Sequence, residues 1–175
     1  MTQVLFLLSG PPASGKTTLR NRMFPMATVI CPDESIGYTK ENPWTPKVAN
    51  AAWKKADSDL KEALKRGDKL VVFDATFVGT KKRKKYIKIA KDHNALAMIV
   101  YCEAKLDTII KRNAARSDSR KVPKFVMTQM VNNFQKPTRE EGFEVVLSFN
   151  SETNEIEGTL LPDIKEELQI NMEVE

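Results

Sequence analysis

Val4-Leu5-Phe6-Leu7-Leu8-Ser9-Gly10-Pro11-Pro12-Ala13-Ser14-Gly15-Lys16-Thr17-Thr18 joins a short apolar run to a turn and then to a helix-compatible segment. From Gly10 to Thr17 it fills every fixed position of the pattern G-x-x-x-x-G-K-[ST], after a strand and before a helix, as the mechanism requires. In such a loop the backbone N–H groups and the following helix N-terminus point at phosphate oxygens. Gly10 and Gly15 permit close approach, and Pro11, Pro12, Ala13 and Ser14 complete the cradle. Lys16 reaches the β- and γ-oxygens, and the Thr17 hydroxyl can ligate Mg²⁺. ATP and Mg²⁺ are the cofactors this stretch predicts.

Outward from the loop, apolar runs predict strands at 3–8, 27–31, 69–73, 96–102 and 144–149. Helices are expected at 15–24, 46–66, 80–92, 105–115 and 123–135. The alternation predicts an α/β fold with a parallel five-stranded sheet covered on both faces. Within 46–66, Val48, Ala51, Ala52, Lys55, Ala56, Leu60 and Leu64 form a stripe, and Arg66-Gly67 reads as a C-cap. In 123–135, Phe125, Val126, Met130, Val131 and Phe134 recur at helical spacing and read as core.

The length of 175 residues fits one domain. Cys31 and Cys102 are the two cysteines, both in apolar runs, which predicts a reducing intracellular (cytoplasmic) setting without a cysteine zinc site. Val4–Leu8 is too short for a membrane span. Charge is unevenly spread, with 27 Lys and Arg against 15 Asp and Glu in residues 1–150, but 1 against 8 in 151–175. A body of +12 suits a polyanionic partner, and the −7 segment reads as an acidic C-terminal extension to a domain spanning 1–150, expected to hold a hairpin followed by a short helix and a loose end.

A phosphate cradle defines binding, not a reaction. Asp33 follows the second strand and Asp74 ends the third, so both fall on the sheet rim where ligands of parallel α/β folds sit. Asp33 is placed to accept the proton of an attacking hydroxyl, whereas Asp74 suits holding Mg²⁺ through water or orienting Lys16 or Thr17. The plainer alternative for each is a helix cap or turn, with Glu34 and Ser35 as rivals at the first site. Arg112, Arg116 and Arg120 recur every four residues before a polar stretch, as expected of a lid that brings cations to a transferring phosphate. Arg116 is the first choice and Arg120 the second; a solvated helix face is the alternative. Lys81 to Lys85 reads as a solvated helix face, His93 as a helix end, and Asp57-Ser58-Asp59 as mid-helix rather than a phosphatase motif.

These pieces resemble the 5′-kinase domain of bacteriophage-type polynucleotide kinases: Gly10 to Thr18, Asp33-Glu34, Asp74-Ala75-Thr76, and Lys111-Arg112-Asn113-Ala114-Ala115-Arg116 leading to Val122-Pro123. The resemblance implies a P-loop kinase fold with an arginine-bearing lid, acting on 5′-OH ends of DNA or RNA. It implies Lys16, Thr17, Thr18, Arg112, Arg116 and Arg120 on the nucleotide side, and Asp33 as general base. It also implies Asp74 and Thr76 beside the acceptor and Val122-Pro123 as an apolar wall; Tyr38 and Trp44 would extend that wall or serve as hinge or core. One departure stands out: three residues after Asp33, where the best-known viral member carries an arginine for the acceptor's 3′-phosphate, this chain has Ile36. Either Lys40, Lys81 or Arg83 meets that phosphate, or the acceptor is a small alcohol such as a nucleoside, sugar or antibiotic. A low-turnover nucleotide-binding regulator is the third reading.

Overall fold

A computed structural model describes residues 2–36, 45–117 and 120–173. Five strands run parallel: β1 (Gln3–Ser9), β2 (Thr28–Ile30), β3 (Leu70–Asp74), β4 (Ala95–Glu103) and β5 (Val145–Asn150). The expected five-stranded sheet needs one correction. A sixth strand, β6 (Glu155–Glu157), pairs antiparallel with β5, giving the order β2-β3-β1-β4-β5-β6. This pairing is the hairpin expected at the start of the acidic segment, though Glu155-Ile156-Glu157 has too few apolar residues to count as a strand by itself.

The helices are α1 (Lys16–Met23), α2 (Pro32–Ile36), α3 (Pro46–Arg66), α4 (Thr80–Asp92), α5 (Leu106–Ala114), α6 (Lys124–Asn132) and α7 (Pro162–Glu167). Helix α3 starts where Thr45 accepts from the Val48 N–H (3.1 Å) with Pro46 in the first turn. It stops at Gly67, whose left-handed φ of 88° lets its N–H turn back to Ala63 and Leu64. Helix α2 was not expected, since five residues are too few to show a period.

Because side chains alternate across a strand, β1 feeds two cores. Val4, Phe6 and Leu8 join Leu19 and Met23 of α1 on one face. Leu5 and Leu7 join Ala56 and Leu60 of α3 and Tyr86 and Ile87 of α4 on the other. Leu160, Leu168 and Ile170, in the acidic segment, are buried in the first of these cores, and the Asn171 N–H reaches the Met23 carbonyl (2.9 Å). The chains leaving adjacent β1 and β3 thus diverge to opposite faces, α1 to one and α4 to the other, which opens a crevice at their carboxyl ends.

Three packing expectations are corrected. Phe125 is 67% exposed, and Met127 is the one fully buried residue of α6, so the helix lies shallowly on its neighbours. Cys31 falls just past β2 and is half-buried, while Cys102 is buried; both are free thiols. Arg83 does not belong to a solvated face. It is fully buried, donating to the Phe77 carbonyl (2.9 Å) and to both Glu141 oxygens (2.9 and 2.8 Å). A lysine run hides one arginine aimed inward, which charge counting alone does not reveal.

Candidate functional site

The loop from Gly10 to Lys16 hangs from the end of β1, in the crevice. Gly10 (φ 146°) and Gly15 (φ 101°) take left-handed or related backbone conformations that favour glycine. A Cβ on Gly15 would stand 2.8 Å from the Ser151 Cβ, so the loop is also closed in by the chain leaving β5. Ser9 donates to Thr76 O (3.2 Å), and the Gly10 N–H donates to the same carbonyl (3.0 Å), tying the cradle to the segment after β3. Through that bond the Thr76 backbone supports the loop.

Two observations fit the loop to a nucleotide's phosphates. The Ser14 hydroxyl is buried with no hydrogen-bond partner, an arrangement that costs about 1–3 kcal/mol unless a ligand supplies one. Lys16 Nζ donates to the carbonyls of Gly10 and Pro11, both at 2.8 Å, folded over the loop it belongs to. Burial pushes its ammonium pKa down, opposed by Asp74, Cys102 and Asp33 and reinforced by Arg116. An incoming anion therefore meets a cation that gains by pairing. Thr17 and Thr18 are exposed in the first turn of α1, where hydroxyls can reach phosphate or a cation.

Asp74, at the end of β3, is buried and bonded to Arg20 (Nη1 to Oδ2, 3.1 Å), whose other nitrogen pairs with Glu34 (2.8 Å). Burial pushes the Asp74 carboxyl up, with Lys16 and Arg20 pulling it down and Glu34 and Asp33 adding to the rise. For Arg20 burial acts against the charge, but Glu34 and Asp74 together raise its pKa. Arg20 was not singled out from sequence as the partner of Asp74, nor Glu34 as the second partner of Arg20. Arg20 lies four residues past Lys16 on α1, facing inward, a spacing that could have flagged it.

Asp33 stands exposed in the first turn of α2, and its charge is felt at Lys16, Arg116 and Lys82. Arg116 is half-buried just beyond α5; burial lowers its pKa, Arg120 lowers it further and Asp33 raises it. Asp33, Lys16 and Arg116 thus share one electrostatic field. Arg120 is exposed, in a turn closed by its N–H to the Ser117 carbonyl (2.9 Å). Arg112 donates to Ser151 through Oγ (2.7 Å) and the carbonyl (2.9 Å), so it braces the residue that abuts Gly15. The base of the arginine segment is closed by Asn113: its amide donates to the Val122 carbonyl (2.8 Å) and accepts from the Val122 N–H (3.1 Å). Val122 is half-buried and Pro123 exposed, capping α6. Tyr38, Lys40 and Trp44 lie outside the described residues.

Of the cations proposed for an acceptor phosphate, Arg83 is engaged in the interior and Lys81 is exposed. Burial pushes the Cys31 thiol up to about 11 and the Cys102 thiol to about 12, so neither is a ready nucleophile. Among the described residues there is no cluster of three or more His, Cys, Asp or Glu able to hold a metal by itself, and no helix is long and apolar enough to cross a membrane.

Residues 5–137 match the family described as "AAA domain". Solved structures with the same fold include a candidate kinase from Chloroflexus aurantiacus, 16% identical over 97% of this chain and 96% of that one (TM-score 0.64). A chain of the Pnkp1/Rnl/Hen1 RNA repair complex is 18% identical over 77% of this chain and 44% of its own length (TM-score 0.65). A gluconokinase from Sinorhizobium meliloti 1021 is 14% identical over 94% and 89% (TM-score 0.57). The shared architecture is that of P-loop kinases.

Proposed function

This chain belongs to the AAA domain family and has the fold of P-loop kinases; from that premise we propose that it is an ATP-dependent polynucleotide 5′-hydroxyl kinase. The observation that carries the reading is the shared field of Asp33, Lys16 and Arg116, an anion and two cations on the crevice side of one phosphate cradle. In this reading Asp33 takes the proton of a 5′-hydroxyl as its oxygen bonds to the γ-phosphorus and the bond to the β,γ-bridging oxygen breaks. Lys16 and Arg116 bear on the charge of the phosphoryl group in transit, with Arg120 in support. Thr17, and Asp74 through water, are the residues that would hold Mg²⁺, which supplies charge neutralisation at the phosphates. Arg112 and the Ser151 segment wall the nucleotide side, while Thr76, Val122 and Pro123 border the acceptor. The basic body, +12 over residues 1–150, favours a polyanionic acceptor.

Ile36 favours a second reading, with the same base acting on a small alcohol, because an aliphatic side chain supplies no charge for an acceptor phosphate. Labelled ATP offered with 5′-OH DNA and RNA oligonucleotides, nucleosides and sugar alcohols separates the two. Label on the oligonucleotides supports the kinase proposed; label confined to a small alcohol replaces it.

A further inference from the structure

A 5′-OH oligonucleotide carries a phosphate on the 3′ side of its reacting nucleoside, and at this site it would approach two carboxylates, Asp33 and Glu34. Without a cation on that side the charges repel. Among the described residues, several cations are committed: Lys16 to the cradle, Arg20 to Asp74 and Glu34, Arg83 to Glu141, Arg112 to Ser151.

Lys82 differs. It projects from the start of α4, and among the described residues no carboxylate lies within ion-pairing distance of it. Its ammonium rests on the Trp53 ring, 3.1 Å from the centroid. Trp53 is itself stacked on Phe73 at 5.8 Å and edge-on to Phe77 at 6.0 Å, so the platform is fixed by the core. Phe73 precedes Asp74 at the end of β3, so the platform places Lys82 by the strand end on the rim; α2, which carries Asp33, packs on α3, and the charge of Asp33 is felt at Lys82.

Resting on the function proposed above, we infer that Lys82 is a specificity-determining residue that pairs with the acceptor phosphate 3′ of the nucleoside presented to Asp33. A cation–π contact holds an ammonium without consuming its hydrogen-bond donors, which leaves all three for phosphate oxygens. Burial pushes the Lys82 ammonium down to about 8; Lys85 adds to the fall, while Asp57 and Asp33 oppose it. The charged form is lost as pH rises through that value, so acceptor binding weakens there, and an arginine in its place stays charged.

The test compares wild type, Lys82→Ala and Lys82→Arg at saturating ATP. The acceptors are a 5′-OH dinucleotide, a 3′-phosphorylated nucleoside and a plain nucleoside. Loss of one charge-assisted hydrogen bond should raise KM for the two phosphate-bearing acceptors about 10- to 100-fold in Lys82→Ala, with kcat and the KM for ATP unchanged. The plain nucleoside should be indifferent. Lys82→Arg should recover most of the loss and remove the rise of acceptor KM expected of wild type above about pH 8. A rise confined to one phosphate-bearing acceptor would show whether diester or terminal phosphate is bound, still through Lys82. Equal KM values in wild type and Lys82→Ala, with the oligonucleotide still labelled, would overturn the inference and spare the kinase. If wild type labels only unphosphorylated alcohols, the kinase reading itself has failed and Lys82 has lost its ligand.

Discussion

The guanidinium of Arg20 stands 3.1 Å from the carboxylate of Asp74, with about 10% and 5% of the two side chains exposed. Helix α1, which opens the phosphate cradle, is thus pinned to the end of β3 by a buried ion pair. Removing Arg20 leaves Asp74 buried without its ion-pair partner. Arg20→Ala should therefore lower the unfolding free energy by about 3–5 kcal/mol in denaturant titration. The double variant Arg20→Ala, Asp74→Ala should lose less than the sum of the single changes.

Asp33 is exposed and bears on the reaction rather than on the core. Asp33→Asn should keep the melting temperature and ATP affinity while kcat falls about 10²- to 10⁴-fold, the usual worth of a general base. Single-turnover transfer to a 5′-OH acceptor checks this; turnover near that of wild type would remove Asp33 from the mechanism.

Asn113 closes the arginine segment with two hydrogen bonds to the Val122 backbone. Asn113→Ala leaves both backbone groups without that partner and should cost about 1–3 kcal/mol. Limited proteolysis should then cut between 114 and 122 faster than in wild type, with kcat falling because Arg116 is no longer held.

Two glycines with left-handed φ should respond differently to alanine. At Gly67 (φ 88°) nothing lies within 4 Å of the added Cβ, so strain alone acts, about 1–2 kcal/mol. At Gly15 (φ 101°) the methyl also meets Ser151 Cβ at 2.8 Å, on backbone that lines the phosphate loop. Gly15→Ala should therefore abolish nucleotide binding by titration calorimetry, whereas Gly67→Ala should bind normally and melt a few degrees lower.

Acceptor affinity should fall with salt. If three single-strand phosphates are held, raising salt from 50 to 200 mM should weaken binding about 20-fold at a slope of about 0.7 per contact. Fluorescence anisotropy of a 5′-OH oligonucleotide measures this, and a flat response points to a compact acceptor.

Much of this architecture was legible in the chain because it rests on strong local signals. The cradle, the long α3 with its Gly67 end, and the rim positions of Asp33 and Asp74 follow from periodicity, a cap and strand ends. What sequence reading missed depends on distant partners. Arg83 is buried because Glu141, 58 residues on, waits for it, and Arg20 is fixed by Asp74, 54 residues on. Phe125 shows the converse, since helical spacing marked it as core and yet it is 67% exposed. Asn113 and Val122 lie only nine residues apart, yet their mutual bonds need a loop geometry that no period encodes.

Leu160, Leu168 and Ile170 cover the same core as Leu19 and Met23. During synthesis the phosphate loop and α1 emerge early, but the residues that roof α1 leave the ribosome far later. The sheet strands can cover most of the apolar face of α1 beforehand, but the side of this core that Leu160, Leu168 and Ile170 close stays open until the acidic segment arrives, a contact of high sequence separation. A ribosome stalled before residue 160 would present a chain that has its nucleotide motif but lacks the last side of the core beneath the helix that follows it.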